Sequence, residues 1–319
     1  MLAAWLLLFW PNQVEAIDGQ VLGVHILNPS EITQAEELIR PEDDDTWRYV
    51  TVPLSLNDLS KQEEWQNFFK SASEKKIIPI VRLVTRFENG SWQVPNRKEV
   101  VSLIDFLNQL TWPTSERYVI VFNEPNHSNE WGGQLDPKSY TQTLTFTSAW
   151  AHATSSNFKV LPAALDLAAS SGGQTMEAFN YLNQMLAVNP DVFSTVDYWN
   201  SHSYPNPAFS ASPQKTGQNS LRGFQYELDF LKQKTGRDYQ VFITETGWSD
   251  NAATHRWLTS YYQYAVQNIW SDSRVIAVTP FLLQGDPGPF TPFSFIDKTG
   301  QPTHQYAAYQ DAIRKIKGT

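Results

Sequence analysis

Eight short apolar runs, each followed by a longer stretch with apolar residues at helical spacing, constrain this chain more than any other feature. The candidate strands are Val21–Leu27, Tyr49–Leu56, Ile77–Val84, Tyr118–Asn123, Val160–Leu165, Val196–Tyr204, Gln240–Glu245 and Val275–Leu283. Between them, Asp58–Lys75 carries Leu59, Trp65, Phe68, Phe69 and Ala72 on one helical face, and Asn96–Leu110 carries Val100, Val101, Ile104 and Leu107. Asp136–Ala153 opens on Asp-Pro, a helix-start pair, and Leu221–Leu231 and Ala252–Trp270 continue the pattern. Eight strand–helix units match a single-domain α/β fold, the (β/α)8 TIM barrel, which typically needs about 250 residues. An open doubly wound sheet also alternates strand and helix. It commonly carries a nucleotide fingerprint, and neither G-x-G-x-x-G after the first strand nor G-x-x-x-x-G-K-[ST] occurs here. Pro53, Pro79, Pro162 and Pro280 fall inside candidate strands, where proline removes a ladder donor, so strand ends or bulges are expected there.

Composition excludes several chemistries. The 319 residues contain no cysteine, which removes disulfides, zinc–thiolate sites, iron–sulfur clusters and thiol nucleophiles together. A formal charge of −9 argues against a partner that presents phosphates, so no nucleic acid is expected. There is no H-E-x-x-H and no G-x-S-x-G, and His127 and His152 stand apart from other ligand types. His25 and His202 could meet in a barrel mouth, yet two histidines alone make a weak metal site. No cofactor and no metal are expected. Residues 1–16, with the apolar run Leu2–Trp10 and Val14-Glu15-Ala16 beyond it, resemble an export signal that lacks a basic start, or else an N-terminal apolar segment. The run is too short to span a bilayer, so a secreted or cell-envelope protein without stable membrane insertion is expected. Residues 17–319 form the expected catalytic domain, as a monomer.

Barrel active sites sit at the C-terminal ends of the strands. The fourth strand ends in Asn123-Glu124-Pro125-Asn126 and the seventh in Glu245-Thr246-Gly247-Trp248. The sixth carries Ser201-His202-Ser203-Tyr204, and strand alternation turns His202 and Tyr204 to one side. Two carboxylates facing each other suit glycosidic bond cleavage: one protonates the leaving oxygen while the other attacks the anomeric carbon or activates water.

Taken together and in this order, the three motifs resemble glycoside hydrolase clan A, the retaining (β/α)8 glycosidases, families 5 and 39 about equally. The resemblance covers residues 21 to about 316. It implies Glu124 as general acid/base, Glu245 as nucleophile, Asn123 as a ligand of the sugar 2-hydroxyl, Tyr204 as the group orienting Glu245, and His202 as a residue that lines the same subsite or contacts the acid/base. The substrate it implies is a β-linked glycan. Many clan members carry an arginine near the end of strand two. Here the nearest candidate is Arg82 on strand three, placed to hydrogen-bond Glu245 or to form a buried ion pair. The eighth strand lacks the usual tryptophan, leaving Phe281 or Gln284 to floor the site. A non-catalytic carbohydrate-binding barrel and a cell-wall transglycosylase remain alternatives with the same residues.

Aromatics make up 13% of the chain, including 12 tryptophans. Loop-borne Trp131, in a glycine-containing segment, is the leading candidate for a sugar-stacking platform, followed by Trp248 and then Trp92. Trp65, Trp150, Trp257 and Trp270 fall in helical patterns and are expected in the core.

Overall fold

The computed structural model describes residues 21–41, 45–286 and 288–316. The apolar segment 1–16 lies outside the described residues. The barrel strands are β1 (Gly23–His25), β2 (Arg48–Ser55), β3 (Ile77–Val84), β4 (Arg117–Val121), β5 (Phe158–Pro162), β6 (Trp199–His202), β7 (Val241–Glu245) and β8 (Val275–Val278). Each precedes a helix: α1 (Ile32–Ile39), α2 (Gln62–Glu74), α3 (Arg97–Gln109), α4 (Pro137–Thr154), α5 (Ala178–Val188), α6 (Gly223–Thr235), α7 (Leu258–Asn268) and α8 (His304–Ile316). Strands β1 to β5 pair in parallel in sequence order, as do β6, β7 and β8. Two seams close the cylinder. The Leu22–Val278 bridge joins β1 to β8, and the Asp166–His202 bridge with the Asp197 N–H to Val160 carbonyl bond joins β5 to β6. The fold is the (β/α)8 barrel.

Strand alternation separates two apolar compartments. Val50, Val52, Val81, Leu83, Val119, Val121, Val241 and Ile243 point outward into the layer shared with the helices. Ile78, Ile80, Tyr118, Ile120, Leu161, Phe242 and Ala277 point inward and fill the lumen floor with a separate cluster. That layered filling makes the barrel a packed body with one polar end. Above the floor, Thr51, Asn200, Thr244 and Thr279 join through short side-chain bonds, Thr51 to Thr279 at 2.7 Å and Thr244 to Asn200 at 2.7 Å. Gly23 permits the close approach of β1 to β2, since a Cβ there would sit 2.0 Å from the Tyr49 carbonyl oxygen.

The helix ends follow local chemistry. Asn96 caps α3 in a reciprocal box with Glu99, and Asp136 accepts from Ser139 N–H to cap α4, whose first residue is Pro137. Pro162 closes β5 and Pro280 lies beyond β8. Pro53 and Pro79, in contrast, sit inside β2 and β3, paired with Arg82 and Val50. Trp65 and Trp270 are fully buried as expected, while Trp257 is 44% exposed on a short 3-10 turn before α7, a correction to its placement in the core. A two-stranded hairpin, Phe87–Glu88 with Ser91–Trp92, rises from the loop after β3 and was not legible in the strand pattern.

Candidate active site

The lumen pattern itself carries polar groups to the mouth. Arg82 continues the inward series of Ile78 and Ile80 on β3, and His202 continues that of Tyr198 and Asn200 on β6. Two irregularities place the carboxylates. On β7 the register shifts beside Ser201, so that Glu245 and not Thr244 comes opposite His202. After β4, Phe122 has φ +70° and Glu124 φ +28°, conformations that cost an L-residue energy and recur at functional sites. The first turns Phe122 outward against Trp131, with centroids 5.7 Å apart, while Asn123 and Glu124 face the mouth. Asn126 fixes this loop, donating to the carbonyls of Asp166 and Met176 at 3.0 Å each and accepting from Asp166 N–H at 3.1 Å.

Glu245 is held on both oxygens. Arg82 Nη1 donates to Oε1 at 2.5 Å and Tyr204 O–H donates to Oε2 at 3.2 Å. His25 Nδ1 lies 3.8 Å from Oε1 and His202 Nδ1 3.7 Å from Oε2. Burial alone would raise the Glu245 pKa, but His202 and Arg82 outweigh it and hold the carboxyl well below the usual range. Burial and the Arg82 charge keep His25 neutral, with a pKa pushed down to about 3. His202 is also buried, which opposes its charging, yet Glu245 and Glu124 raise it above the ordinary histidine value. Burial and Glu245 push the Tyr204 phenol well above its ordinary value, so it stays a donor.

Glu124 has one close partner, His202 Nδ1, at 2.7 Å from Oε1. Single oxygens of Glu124 and Glu245 and a ring nitrogen of His202 all lie within 4.8 Å of one another. Asn123 bridges the two sides of the mouth: its Oδ1 accepts from Arg82 at 2.9 Å, and its Nδ2 donates to Glu130 Oε2 at 3.2 Å.

Glu130 is a third carboxyl in this mouth, and the sequence motifs passed over it. Burial, then the charge of Glu124, push it up to about 7. Its one sequence signal is an acidic residue closing the loop that starts at the strand-four motif. Glu227 on α6 was missed as well. It lies behind β6, taking Trp199 Nε1–H at 3.1 Å and Ser201 O–H at 2.5 Å, so it braces the strand that carries His202.

The platform reading of Trp131 and Trp248 is corrected. Trp131 is 1% exposed, wedged between Phe122 and Tyr140, with Nε1 donating to Ser139 at 3.3 Å. Trp248 is fully buried against Tyr261 and Tyr262, and its Nε1 donates to the Ala211 carbonyl at 2.8 Å. Neither offers a ring face to a sugar. Trp92 is half-buried on the hairpin beside the exposed Phe87, and its carbonyl accepts from Gly132 N–H next to the Glu130 segment. Phe281 stands edge-on to His25 at 5.3 Å, the position the sequence left between it and Gln284, whose amide instead donates to the Asp297 carbonyl at 3.3 Å.

Comparison with known proteins bears on the family and the fold. The family model of the glycosyl hydrolase catalytic core matches residues 85–309. No curated protein matches the sequence. Among solved structures, a monomeric β-xylosidase from Caulobacter crescentus superposes with TM-score 0.63 at 13% identity, covering 92% of this chain and 67% of that one. A family 39 glycoside hydrolase from Bacteroides cellulosilyticus gives 0.63 at 14%, covering 92% of this chain and 63% of that one, so this chain spans less than two thirds of it. An endo-β-1,4-glucanase from Xanthomonas axonopodis pv. citri gives 0.60 at 14%, covering 93% and 99%. At such identities the likeness concerns the fold.

Proposed function

The chain belongs to the glycosyl hydrolase catalytic core family and is a glycosidase; from that premise we propose that it cleaves β-glycosidic bonds of a poly- or oligosaccharide with retention of anomeric configuration. The observation that carries the proposal is the close approach of Glu124 and Glu245, oxygen to oxygen within 4.8 Å. Retaining glycosidases hold their carboxyls about 5–5.5 Å apart, whereas inverting ones leave about 6.5–9.5 Å for a water molecule.

In the first step Glu245 attacks the anomeric carbon and the bond to the leaving oxygen breaks as Glu124 delivers its proton there. In the second, Glu124 takes a proton from water, the water oxygen bonds to the anomeric carbon, and the Glu245 carboxylate is released. The side chains suit these roles. Glu245, low in pKa and gripped by Arg82 and Tyr204, remains an oriented anion. Glu124 meets His202 through Oε1, which leaves Oε2 to carry the proton. Asn123, locked between Arg82 and Glu130, presents its amide to the sugar, and Phe281 floors the subsite. Residues 17–319 act as one catalytic domain, in a monomer, with residues 1–16 directing export. Among the described residues no helix is long and apolar enough to cross a membrane.

A panel of β-glucan, xylan, mannan and galactan with product chromatography tests the reading. Turnover of at least one polymer, abolished in both Glu124→Gln and Glu245→Gln, is the expected result. Glycan binding by the wild type without turnover of any β-glycoside would refute it.

A further inference from the structure

A second cluster shares no residue with the catalytic one. Asp250 lies in the loop after β7, His255 in the 3-10 turn before α7, and His304 opens α8. Among the described residues, these three and the catalytic trio are the groups whose ligand atoms converge within 4.8 Å. His255 Nδ1 is 2.8 Å from Asp250 Oδ1, and His304 Nδ1 is 3.5 Å from Oδ2. The His304 nitrogen is buried and makes no hydrogen bond. Two imidazole nitrogens thus aim at one carboxylate, and the buried one makes no hydrogen bond.

We propose that Asp250, His255 and His304 form a binding site for one divalent transition-metal ion of the zinc class, which fastens the loop after β7 to the start of α8. Zinc bonds of about 2.0–2.2 Å to nitrogen and oxygen set ligand–ligand edges near 3.3 Å in a tetrahedron. The nitrogen–oxygen distances, 2.8 Å to Asp250 Oδ1 and 3.5 Å to Asp250 Oδ2, lie on either side of that value, one on each carboxylate oxygen. The two rings stack with centroids 3.9 Å apart at 35°, which sets both imidazoles side by side at the carboxylate. Imidazole pairs favour zinc, nickel or copper over magnesium or calcium, which take oxygen ligands. Side-chain exposures of 61% for His255, 36% for His304 and 21% for Asp250 leave a path for the ion and a position for water.

The scaffold around the site is already fixed. Asp250 N–H donates to the Pro292 carbonyl at 2.8 Å, and the Gln305 amide donates to the carbonyls of Trp248 at 2.5 Å and Pro292 at 3.1 Å. A bound ion therefore joins the loop after β7 to the start of α8, where the Pro292 carbonyl already takes hydrogen bonds from both. In a chain without cysteine it supplies the cross-link that a disulfide cannot.

Calorimetric titration of the chelator-stripped full chain with zinc chloride, paired with thermal unfolding, tests the site. One equivalent of zinc is expected, with Tm raised by roughly 5 °C at a hundredfold excess over Kd and no such rise with magnesium. His304→Ala and Asp250→Asn should lose both signals while Glu124→Gln keeps them, which separates this cluster from the catalytic one. His304→Gln serves the same purpose should the alanine variant fold poorly. Zinc binding no stronger than magnesium binding, or a zinc-dependent rise in Tm that survives in the His304 variant, would overturn the proposal.

Discussion

The mouth of the barrel holds two glutamates in opposite company. At the end of β7, Glu245 has a side chain 11% exposed and faces Arg82, His202, His25 and Tyr204. At the end of β4, Glu124 is 21% exposed, meets His202 alone, and has another carboxyl, Glu130, in its field. Arg82 and Tyr204 serve one side, a second carboxyl stands on the other, and His202 lies between the two. His202 and Arg82 hold Glu245 as an anion, while Glu124 meets His202 beside a second carboxyl. Arg82 and Asn123 connect the halves, so a change on one side is felt on the other.

The largest expected effect breaks this comparison by leaving group. Glu245→Ala should lower kcat by roughly 10⁴-fold or more on every substrate, since nothing else can form the glycosyl-enzyme. Glu124→Ala should cost about 10²–10⁴-fold on alkyl glycosides and far less on dinitrophenyl glycosides, whose leaving group needs no proton. Steady-state kinetics on a leaving-group series reads the difference. Equal losses in both variants across the series would erase the distinction between the two sides.

Removing the cation is expected to come next. Arg82→Met should lower kcat about 10²-fold and move the acid limb of the pH–rate profile upward by about 1–3 units. The sign follows from Glu245, whose folded pKa is depressed. Its ion pair contributes stability above the unfolded carboxylate value, and that contribution is lost as pH falls through the lower folded value. Without Arg82 the loss begins at higher pH, which acid denaturation of the two proteins would reveal.

A third substitution separates packing from binding. Trp131→Ala should cost about 3–5 kcal/mol of stability, because a buried ring between Phe122 and Tyr140 is lost. Trp92→Ala should leave denaturant unfolding nearly unchanged and raise KM instead, given its half-exposed place on the hairpin.

The smallest effect sharpens the β4 side. Glu130→Gln should match the wild type at pH 6, where Glu130 is protonated and glutamine resembles it. At pH 8, where the anion holds Asn123 by a charge-assisted bond, the variant should lose about 3- to 10-fold in kcat/KM. A loss of the same size at both pH values would mean that Glu130 acts through shape alone.

The strands could be read because lumen and helix-facing positions both demand apolar residues over short runs, and β3 matches its expected bounds of Ile77–Val84. His202 and Tyr204 could be put on one side for the same reason, since alternation along a strand is a local rule, whereas Arg82 came from the family resemblance. What lay between strands was less legible. Trp131 and Trp248 sit in polar, glycine-containing loops, and only the third dimension shows them folded back under the mouth. Glu130 gains its role through Asn123 and Glu124, contacts made by a turn that the left-handed residue Phe122 creates. Asp250, His255 and His304 meet because the loop after β7 and the start of α8 converge, which no spacing in the chain announces.

The central claim is that Glu245 becomes covalently glycosylated. Incubating the protein with an activated 2-fluoro glycoside of the sugar it accepts, then digesting it and sequencing the peptides by mass spectrometry, tests this directly. The account predicts one added glycosyl unit on the peptide containing Glu245, absent from Glu245→Gln. Full turnover of the parent substrate with no adduct, or an adduct on Glu124 or Glu130, would contradict it.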